Sequence, residues 1–202
     1  MIVTVASFKG GVGKTTTAVH LAAYLQQDAQ TLLIDGDLNR SALRWSERGT
    51  LPFRVVDEVQ GPMYARDTAY RHVVIDTPAR PRTDDLEALA DSCDLLVIPT
   101  VPDAMSLEAV VDTVAELNRI PSAKYRLLLT MVPPLPERDG FEARVFLEEE
   151  NGLPVFATWI RRFKAFRKAS LDGVPVADVK DLRAAEAWRD YTRVGKEMLS
   201  NE

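Results

Sequence analysis

Apolar residues recur along this chain in two patterns that alternate from end to end. Short runs of β-branched and aliphatic residues are typical of buried strands, whereas apolar positions every three or four residues are typical of amphipathic helices. The runs predict strands near Ile2 to Ser7, Thr31 to Asp35, Val73 to Asp76, Leu95 to Thr100 and Arg126 to Met131, with shorter strands at Phe53 to Val56 and Pro154 to Phe156. The helical spacing predicts helices near Thr16 to Gln27, Ser41 to Arg48, Asp84 to Ala90, Ser106 to Asn118, Phe141 to Glu150 and Ala184 to Met198.

This alternation predicts an α/β fold in which a mostly parallel, twisted sheet is covered by helices on both faces. It runs through all 202 residues without an internal repeat or a low-complexity linker, so a single domain over residues 1–202 is predicted. In sheets of this kind, ligands bind at the carboxyl ends of the strands. Residues at those ends are therefore the first candidates for function.

Composition narrows the possible functions. The formal net charge of −5 argues against a chain whose whole surface binds nucleic acid, although it allows a local basic patch. Cys93 is the single cysteine, so an internal disulfide is excluded and a cysteine-based metal site is not expected. The first apolar run is too short for a secretory leader and no run is long enough to cross a bilayer, so we expect a cytoplasmic protein without a membrane partner.

The segment after the first predicted strand is KGGVGKTT, which has the chemistry of a phosphate-binding loop. Its glycines allow a tight turn that brings backbone N–H groups onto phosphate oxygens, and the N-terminus of the next helix adds its dipole. Within the loop, the Lys14 ammonium would reach the β- and γ-phosphates and the Thr15 hydroxyl would coordinate Mg²⁺. The predicted nucleotide-binding residues are Gly10, Gly11, Val12, Gly13, Lys14, Thr15 and Thr16.

The loop departs from the usual phosphate-loop pattern, because Phe8 stands where glycine is expected and Lys9 precedes the glycine pair. A solvated lysine beside a simple turn is the plainer interpretation. The segment nevertheless resembles the deviant Walker A motif of the ParA/MinD ATPases, and Lys9 stands where that family has its signature lysine. The resemblance implies a P-loop NTPase fold, ATP with Mg²⁺ as ligands, and an ATP-dependent homodimer. In that dimer Lys9 of each subunit is a catalytic residue that reaches the phosphates bound by the other.

Acidic residues follow two other predicted strands, Asp35 and Asp37 after one and Asp76 after the next buried run. Acids at these positions can be ordinary turn and capping residues, but beside a phosphate loop they can also hold Mg²⁺ and its waters. The resemblance implies that Asp76 binds Mg²⁺, that Asp35 supports the metal shell and that Asp37 positions the attacking water. The division of roles between Asp35 and Asp37 stays open, since Leu38-Asn39 replaces the family's Pro-Gln pair.

Two further segments resemble family elements near the nucleotide. Pro102 and Asp103 lie in a loop before a predicted helix, where they are either capping residues or part of a dimer face. After the strand that ends near Met131, many relatives have an asparagine that binds adenine, whereas this chain continues with Val132-Pro133-Pro134. Adenine specificity is therefore implied by the family and not by these residues.

Basic residues are concentrated in one short segment without an acid. If the segment is a helix, Arg161, Lys164 and Lys168 form one stripe, while Phe163 and Phe166 are directed to the core. Such a stripe can neutralise DNA phosphates without contacting bases, although a solvated basic face is the alternative. The chain from Gly152 to Val176 also resembles the C-terminal part of small ParA-type plasmid-partition ATPases. The candidate DNA-binding residues are Arg161, Arg162, Lys164, Arg167 and Lys168.

The resemblance implies a partition or positioning ATPase that hydrolyses ATP weakly, binds nonspecific DNA of the nucleoid and moves a plasmid, a chromosome or another cargo. Its expected partner is a ParB-type or small DNA-binding adaptor that stimulates hydrolysis. A MinD-like membrane regulator is the main alternative, but acids dilute the positive face of the Ala184 to Met198 helix, which favours packing in the core. A metal-cluster assembly ATPase usually needs a cysteine pair, and a small-molecule kinase would leave Lys9 unexplained.

Overall fold

The computed structural model describes residues 1–79, 88–117 and 124–200. Its strands are β1 (Ile2–Ser7), β2 (Thr31–Asp35), β3 (Arg54–Asp57), β4 (His72–Ala79), β5 (Leu95–Thr100) and β6 (Tyr125–Leu129). They form one sheet in the order β3-β2-β4-β1-β5-β6. Each pair of neighbouring strands in this sheet is parallel, which confirms the predicted α/β fold.

Helices follow the strands in alternation. They are α1 (Lys14–Leu25), α2 (Ser41–Arg48), α3 (Gly61–Ala65), α4 (Ala104–Leu117), α5 (Asp139–Val145), α6 (Lys164–Asp172) and α7 (Ala184–Leu199). A π-helical turn, Phe146–Glu150, continues α5, and a 3₁₀ turn, Val176–Asp178, precedes α7. The predicted helix at Asp84 to Ala90 begins outside the described residues, of which 88–91 are helical, and Asn118 also lies outside them.

Strand side chains alternate between two cores, as the period of a pleated strand requires. On β1, Val3 and Val5 pack with α1, α2, α6 and α7, whereas Ala6 belongs to the core beneath α4 and α5. On β5, Leu95 and Val97 face the first core, while the residues between and after them face the second. The sheet is therefore covered on both faces, and the carboxyl ends of its central strands lie at one edge between the layers.

Element ends shift by a few residues, as where β4 continues past Asp76 to Ala79, and local structure differs further from the sequence prediction at three places. Pro154 to Phe156 does not form a strand; Val155 makes only an isolated parallel bridge to Leu127. Helix α3 was not predicted, because five residues are too few to show a helical period. The basic segment becomes helical only at Lys164, since the backbone N–H of Arg162 is bonded to the carbonyl of Val132 at 2.8 Å.

The C-terminal helix α7 packs in the core, as its composition predicts. Its apolar face lies against α1 and α6, with these residues buried: Ala184, Ala187, Tyr191, Val194 and Met198. In the described ranges, none of the helices has the length and apolar character needed to cross a membrane.

Candidate nucleotide-binding site

The sheet order brings three separate motifs to one place. Because β4 lies between β1 and β2, the Asp76 backbone is in register with Val5 on one side and with Asp35 on the other. The loop that follows β1, Asp35 at the end of β2 and Asp76 in the C-terminal half of β4 therefore meet at the same edge of the sheet. This juxtaposition depends on the parallel pairing, since parallel strands present their carboxyl ends together.

The phosphate loop has the backbone that its glycines predict. Gly13 has φ +83°, a left-handed conformation, and its carbonyl accepts the backbone N–H of Thr17 at 2.8 Å as α1 begins. Thr130, just after β6, donates its hydroxyl to the carbonyl of Val12 at 2.8 Å. The side chain of Thr130 therefore supports the loop at Val12, a contact that sequence analysis did not predict.

Lys14 lies between two of the predicted acids. Its Nζ is 2.6 Å from Asp76 Oδ1 and 3.0 Å from Asp37 Oδ2, and both contacts are buried. The hydroxyl of Thr15 donates to Asp76 Oδ2 at 2.7 Å. The structure therefore brings together four of the predicted nucleotide, metal and catalytic residues in one hydrogen-bonded cluster.

The two acids of this cluster differ electrostatically. Burial raises the pKa of Asp76, and the nearby Asp35 charge adds to that effect, although Lys14 and Thr15 partly oppose it. For Asp37, burial also raises the pKa, but the Asn39 N–H and the Lys14 ammonium outweigh it and hold the pKa below its ordinary value. Asp37 is thus ionised at neutral pH.

The same cluster fits a magnesium ion that is shared with a nucleotide. Mg²⁺ in nucleotide sites takes one or two protein oxygens and completes its shell with phosphate oxygens and waters. Thr15, in the first turn of α1, and Asp76, on β4, supply such oxygens. Within the described residues no group of three or more histidine, cysteine or acidic side chains forms a metal cage of its own. Thr15 and Asp76 would hold the ion, which neutralises phosphate charge.

Asp35 is fully buried and its oxygens contact backbone. Oδ1 accepts the N–H of Asp37 at 3.1 Å, and Oδ2 accepts the N–H of Leu43 at 2.9 Å. These bonds fix the ends of the loop that carries Asp37. That Asp35 supports the metal shell stays a prediction. The structure shows in addition that Asp35 positions the Asp37 loop, which the sequence did not indicate.

Lys9 contacts residues at the start of α4 and not the acids that contact Lys14. Its ammonium contacts the Ser106 hydroxyl at 2.8 Å and Asp103 Oδ1 at 3.2 Å. Asp103 also accepts the Ser106 N–H at 3.0 Å, so it is a capping residue of α4. Burial raises its pKa, but the two Ser106 donors and Lys9 together keep that pKa below its ordinary value.

The predicted basic stripe is wrong in one respect, because Arg161 lies before α6 in an extended segment and is bound to acids of α7. Its guanidinium is 2.8 Å from Asp190 Oδ1 and 3.4 Å from Glu186 Oε2. The hydrogen bond to Asp190, which outweighs the opposing effect of burial, raises the pKa of Arg161. Arg161 therefore joins two elements, and its backbone geometry excludes a common helical face with Lys164 and Lys168.

The other four basic residues lie at the surface. Lys168 pairs with Asp181 at 2.6 Å. Arg162, Lys164 and Arg167 are exposed and have no ion pair within the part of the chain that the structure describes. Positive charge is therefore concentrated at the start of α6, in a smaller patch than the sequence predicts.

His20 is a further residue that sequence analysis did not assign. It is fully buried on α1, where its ring stacks on Tyr191 at 4.8 Å and meets Trp45 and Phe166 edge-on. Its Nε2 accepts the N–H of Val176 at 3.0 Å, so the ring proton lies on Nδ1, which donates to the Thr16 carbonyl at 2.6 Å. Burial lowers its pKa to about 4.

Comparison with known proteins places this site in a family. Residues 3–176 match the CobQ/CobB/MinD/ParA nucleotide binding domain. "Maintenance of carboxysome distribution protein A" of Gloeobacter kilaueensis is 38% identical over 202 residues, which cover 98% of this chain and 93% of that protein. The protein of the same name from Halothiobacillus neapolitanus is 29% identical over 183 residues, 85% of this chain and 84% of that one.

Solved structures confirm the fold. The ATP complex of a Cyanothece McdA variant has a TM-score of 0.72 to this chain, with 16% identity and coverage of 98% of this chain and 96% of that one. At this identity the likeness concerns the fold alone, whereas the match of residues 3–176 and the 38% identical relative establish kinship. The chain therefore belongs to the CobQ/CobB/MinD/ParA family of nucleotide-binding domains and is a P-loop ATPase of the ParA/MinD type.

Proposed function

We propose that this ATPase positions an intracellular cargo: ATP closes a homodimer, nonspecific DNA holds the dimer, and an adaptor protein on the cargo triggers hydrolysis and release. The placement of Lys9 carries this proposal. Its ammonium lies outside its own acid cluster, against Asp103 and Ser106, while Lys14 already contacts the buried acids. A second subunit docked face to face would bring one such lysine to each nucleotide, where its charge stabilises the transferring phosphoryl group.

The roles that we propose for the other residues are consistent with their contacts. The loop from Gly10 to Thr16 would bind the triphosphate, and Thr15 and Asp76 would hold Mg²⁺. Asp37, which keeps a lowered pKa, orients the attacking water. Asp35 fixes the loop that carries Asp37 through its two backbone hydrogen bonds. Hydrolysis is slow in this scheme because it waits for the second subunit and for the adaptor.

Names of relatives favour one kind of cargo. Two relatives, 38% and 29% identical, are named for carboxysome distribution. We therefore favour a carboxysome over a plasmid or a chromosome. Deleting the gene in a carboxysome-forming host would then cluster the carboxysomes, seen by fluorescence of a labelled shell protein, without changing plasmid retention. Loss of plasmids with evenly spaced carboxysomes would contradict this assignment.

Dimer formation is tested by light scattering after gel filtration, with ATP and Mg²⁺ and with ADP. We expect a dimer only with ATP, stabilised further by Asp37→Ala because hydrolysis is removed. Lys9→Ala is expected to remain a monomer. Lys124→Ala is the matched control, since this lysine precedes β6 at the amino ends of the strands, on the side of the sheet opposite the site. A Lys9→Ala variant that dimerised and hydrolysed ATP like the unmodified protein would contradict the proposal.

DNA binding is tested on a random duplex at low and moderate salt. We expect retention only with ATP, and a loss of retention as salt rises because the contacts are to phosphates. Lys164→Ala and Lys168→Ala should each weaken retention. Arg161→Ala should instead lower stability, since Asp190 would be left buried without its partner. If Lys164→Ala and Lys168→Ala were both retained on DNA like the unmodified protein, the start of α6 would be excluded as the DNA surface.

The membrane alternative has less support. A MinD-like anchor needs an apolar helix face that is available to lipid, yet the apolar face of α7 is buried against α1 and α6. We therefore favour an ATPase that acts on the nucleoid in the cytoplasm. Sedimentation with anionic vesicles in the presence of ATP separates the two alternatives, and only the membrane regulator would sediment.

A further inference from the structure

The turn that carries Asp37 ends in a strained residue. Arg40, directly before α2, has φ +52° and ψ +43°, the left-handed conformation that residues with a Cβ rarely adopt. Within the described ranges, Arg40 and Met131 are the two residues other than glycine with a positive φ. Strained residues of this kind persist where the surrounding structure fixes them, and they are concentrated at functional sites. The contacts of Arg40 therefore show what its conformation is used for.

Contacts of both backbone and side chain hold Arg40 in place. Its N–H is bonded to the Asp37 carbonyl at 2.8 Å, which closes the turn, and its carbonyl accepts the Arg44 N–H at 2.9 Å as α2 begins. Its guanidinium binds both carboxylate oxygens of Glu58, with Nη1 to Oε2 and Nη2 to Oε1 each at 3.2 Å. Nη1 also lies 3.4 Å from the carbonyl of Asp35. The end of the Asp37 turn is thus tied to the segment after β3.

Glu58 is itself held close to the sheet. It comes directly after the edge strand β3, whose last residue, Asp57, is in register with Asp35 at the end of β2. The Asp57 carboxylate accepts the Val59 N–H at 3.0 Å, so the turn that contains Glu58 is fixed as well. Two parallel bonds between a guanidinium and a carboxylate also fix the orientation of both groups. Glu58 therefore sets the position of Arg40 relative to the sheet.

The Asp37 turn is connected to the sheet at both of its ends. At its start the Gly36 N–H is bonded to the Asp76 carbonyl at 2.8 Å. At its end Arg40 makes the contacts given above. Asp37 lies between these two points, with its carboxylate 3.0 Å from the Lys14 ammonium. Because the turn is short, a displacement of its end also displaces Asp37.

The exposure of the pair favours a role in geometry over one in stability. The Arg40 side chain is 35% exposed and the Glu58 side chain 46%, and ion pairs at such positions contribute little to the free energy of unfolding. The left-handed conformation of Arg40 acts against folding. Loss of the pair should therefore leave the protein folded and allow the turn to relax to a less strained conformation.

We propose that Arg40 and Glu58 form a clamp that sets the position of Asp37 for hydrolysis, which makes both of them positioning residues of the ATPase. The clamp rests on the proposed function, in which Asp37 orients the attacking water. A misplacement of about 1 Å in a reacting group can cost about 100-fold in rate. Loss of the clamp should lower kcat by about 10-fold to 100-fold. KM for ATP should change little, because the phosphate loop is untouched.

Hydrolysis of Mg²⁺-ATP by Glu58→Ala and by Arg40→Gly tests the clamp. Glu58→Ala removes the partner of the guanidinium, whereas Arg40→Gly removes the guanidinium together with the strain, since glycine adopts the left-handed conformation readily. Both variants should have a lower kcat with an unchanged KM and nearly unchanged thermal melts. Arg44→Ala is the matched control, because this arginine is exposed on the first turn of α2. A normal kcat in Glu58→Ala or in Arg40→Gly would overturn the proposal.

Double variants distinguish a clamp from two unrelated structural effects. The Arg40→Gly Glu58→Ala variant should be no slower than the slower single variant, because residues that act as one unit are not additive. Likewise, Arg40→Gly should cause no further loss of kcat when Asp37 is already alanine. Each variant is measured under conditions in which light scattering shows the ATP-dependent dimer. Additive losses in either double variant would overturn the clamp or its action through Asp37.

Hydrogen exchange separates failure of the clamp from failure of the proposed function. In the nucleotide-free protein, N–H groups between Gly36 and Arg44 should exchange about tenfold faster in Glu58→Ala, since the turn opens locally more often. Mass spectrometry of peptides from this segment measures the rates. If Asp37→Ala hydrolysed ATP normally, the proposed role of Asp37 would fail, while faster exchange in Glu58→Ala would still support the clamp. Unchanged exchange in Glu58→Ala would overturn the clamp at any rate of hydrolysis.

Discussion

The Lys14 ammonium lies 2.6 Å from a carboxylate oxygen of Asp76, a side chain with no solvent exposure. The same ammonium lies 3.0 Å from Asp37, so one cation balances an acid on β4 and an acid just after β2. A buried charge is costly unless it is paired and hydrogen-bonded. Lys14 therefore stabilises the site in the absence of nucleotide, in addition to its expected contact with phosphates.

Replacing Lys14 with methionine should destabilise the nucleotide-free protein. Removing one partner of a buried ion pair costs about 3–5 kcal/mol, because the other charge is left buried. The Lys14→Met Asp76→Asn double variant should recover much of that loss, since it removes both charges. Urea denaturation of the two variants without nucleotide measures the difference. Equal midpoints for the single and double variants would mean that the contact contributes little to folding.

Replacing Asp37 with alanine should mainly reduce hydrolysis, whereas replacing Asp35 should mainly reduce stability. Asp37→Ala leaves Lys14 paired with Asp76, so ATP affinity and stability should change little while hydrolysis falls by about 100-fold or more, the contribution expected of a group that activates water. Turnover and ATP binding measured on the same preparation test this. A normal hydrolysis rate in Asp37→Ala would mean that another residue positions the attacking water.

Asp35→Ala should lower stability instead, by about 2–4 kcal/mol, because it leaves the buried N–H groups of Asp37 and Leu43 without an acceptor. Thermal denaturation with and without Mg²⁺-ATP measures this effect. If Asp35→Ala folded normally and needed far more Mg²⁺ for hydrolysis, the metal-shell role would be supported over the loop-positioning contact.

Local signals made most of the fold predictable. Apolar runs and helical spacing located the strands and the longer helices, because strand and helix periods are short compared with the segments. Glycine spacing located the phosphate loop. Parallel pairing of the strands then placed Asp35 and Asp76 close to that loop. The glycines of the loop, Asp35 and Asp76 are each positioned by the strand or loop to which they belong, so a local pattern is enough to locate them.

Contacts between distant segments were not predictable in the same way. Arg161 resembles Arg167 in the sequence, but an acid 29 residues later, Asp190, makes it a structural cation. Lys9 is held by Asp103, which lies 94 residues away in the chain. His20 could have been suspected, because it interrupts the apolar face of α1, yet its partner Val176 is known only from the fold.

His20 predicts a loss of stability in acid. Its pKa is about 4 in the folded protein, against 6.5 for an unperturbed histidine. Between these values the unfolded chain binds a proton that the folded chain does not, so the free energy of unfolding is highest above pH 6.5 and falls toward pH 4. The contribution is about 3 kcal/mol, at about 1.4 kcal/mol for each pH unit.

Chemical denaturation at several pH values measures this effect. A His20→Gln variant should be less stable at neutral pH, because it loses one of the two hydrogen bonds to Thr16 and Val176. It should also lose the part of the pH dependence that lies between pH 6.5 and 4. If the free energy of unfolding of the variant changed with pH as steeply as that of the unmodified protein, groups other than His20 would cause the acid sensitivity.

Gly49 lies where α2 meets the end of α6, and the two elements are in close contact. A Cβ atom on Gly49 would overlap the carbonyl oxygen of Asp172. The Trp45 indole donates to the Val174 carbonyl at 3.1 Å, which holds the same junction together. Since the φ of Gly49 is −164°, an extended value open to any residue, the effect of a substitution would come from crowding alone.

Gly49→Ala should therefore destabilise the protein by about 1–3 kcal/mol, the usual cost of overpacking. Gly152→Ala separates crowding from backbone strain, because Gly152 has φ +63° and a Cβ there would meet nothing within 4 Å. That control should cost only the strain of a left-handed residue, about 1–2 kcal/mol. Because α2 begins at the end of the Asp37 loop, Gly49→Ala should also reduce ATP hydrolysis, whereas Gly152→Ala should not. Equal hydrolysis by both variants would mean that the junction of α2 with α6 does not affect the site.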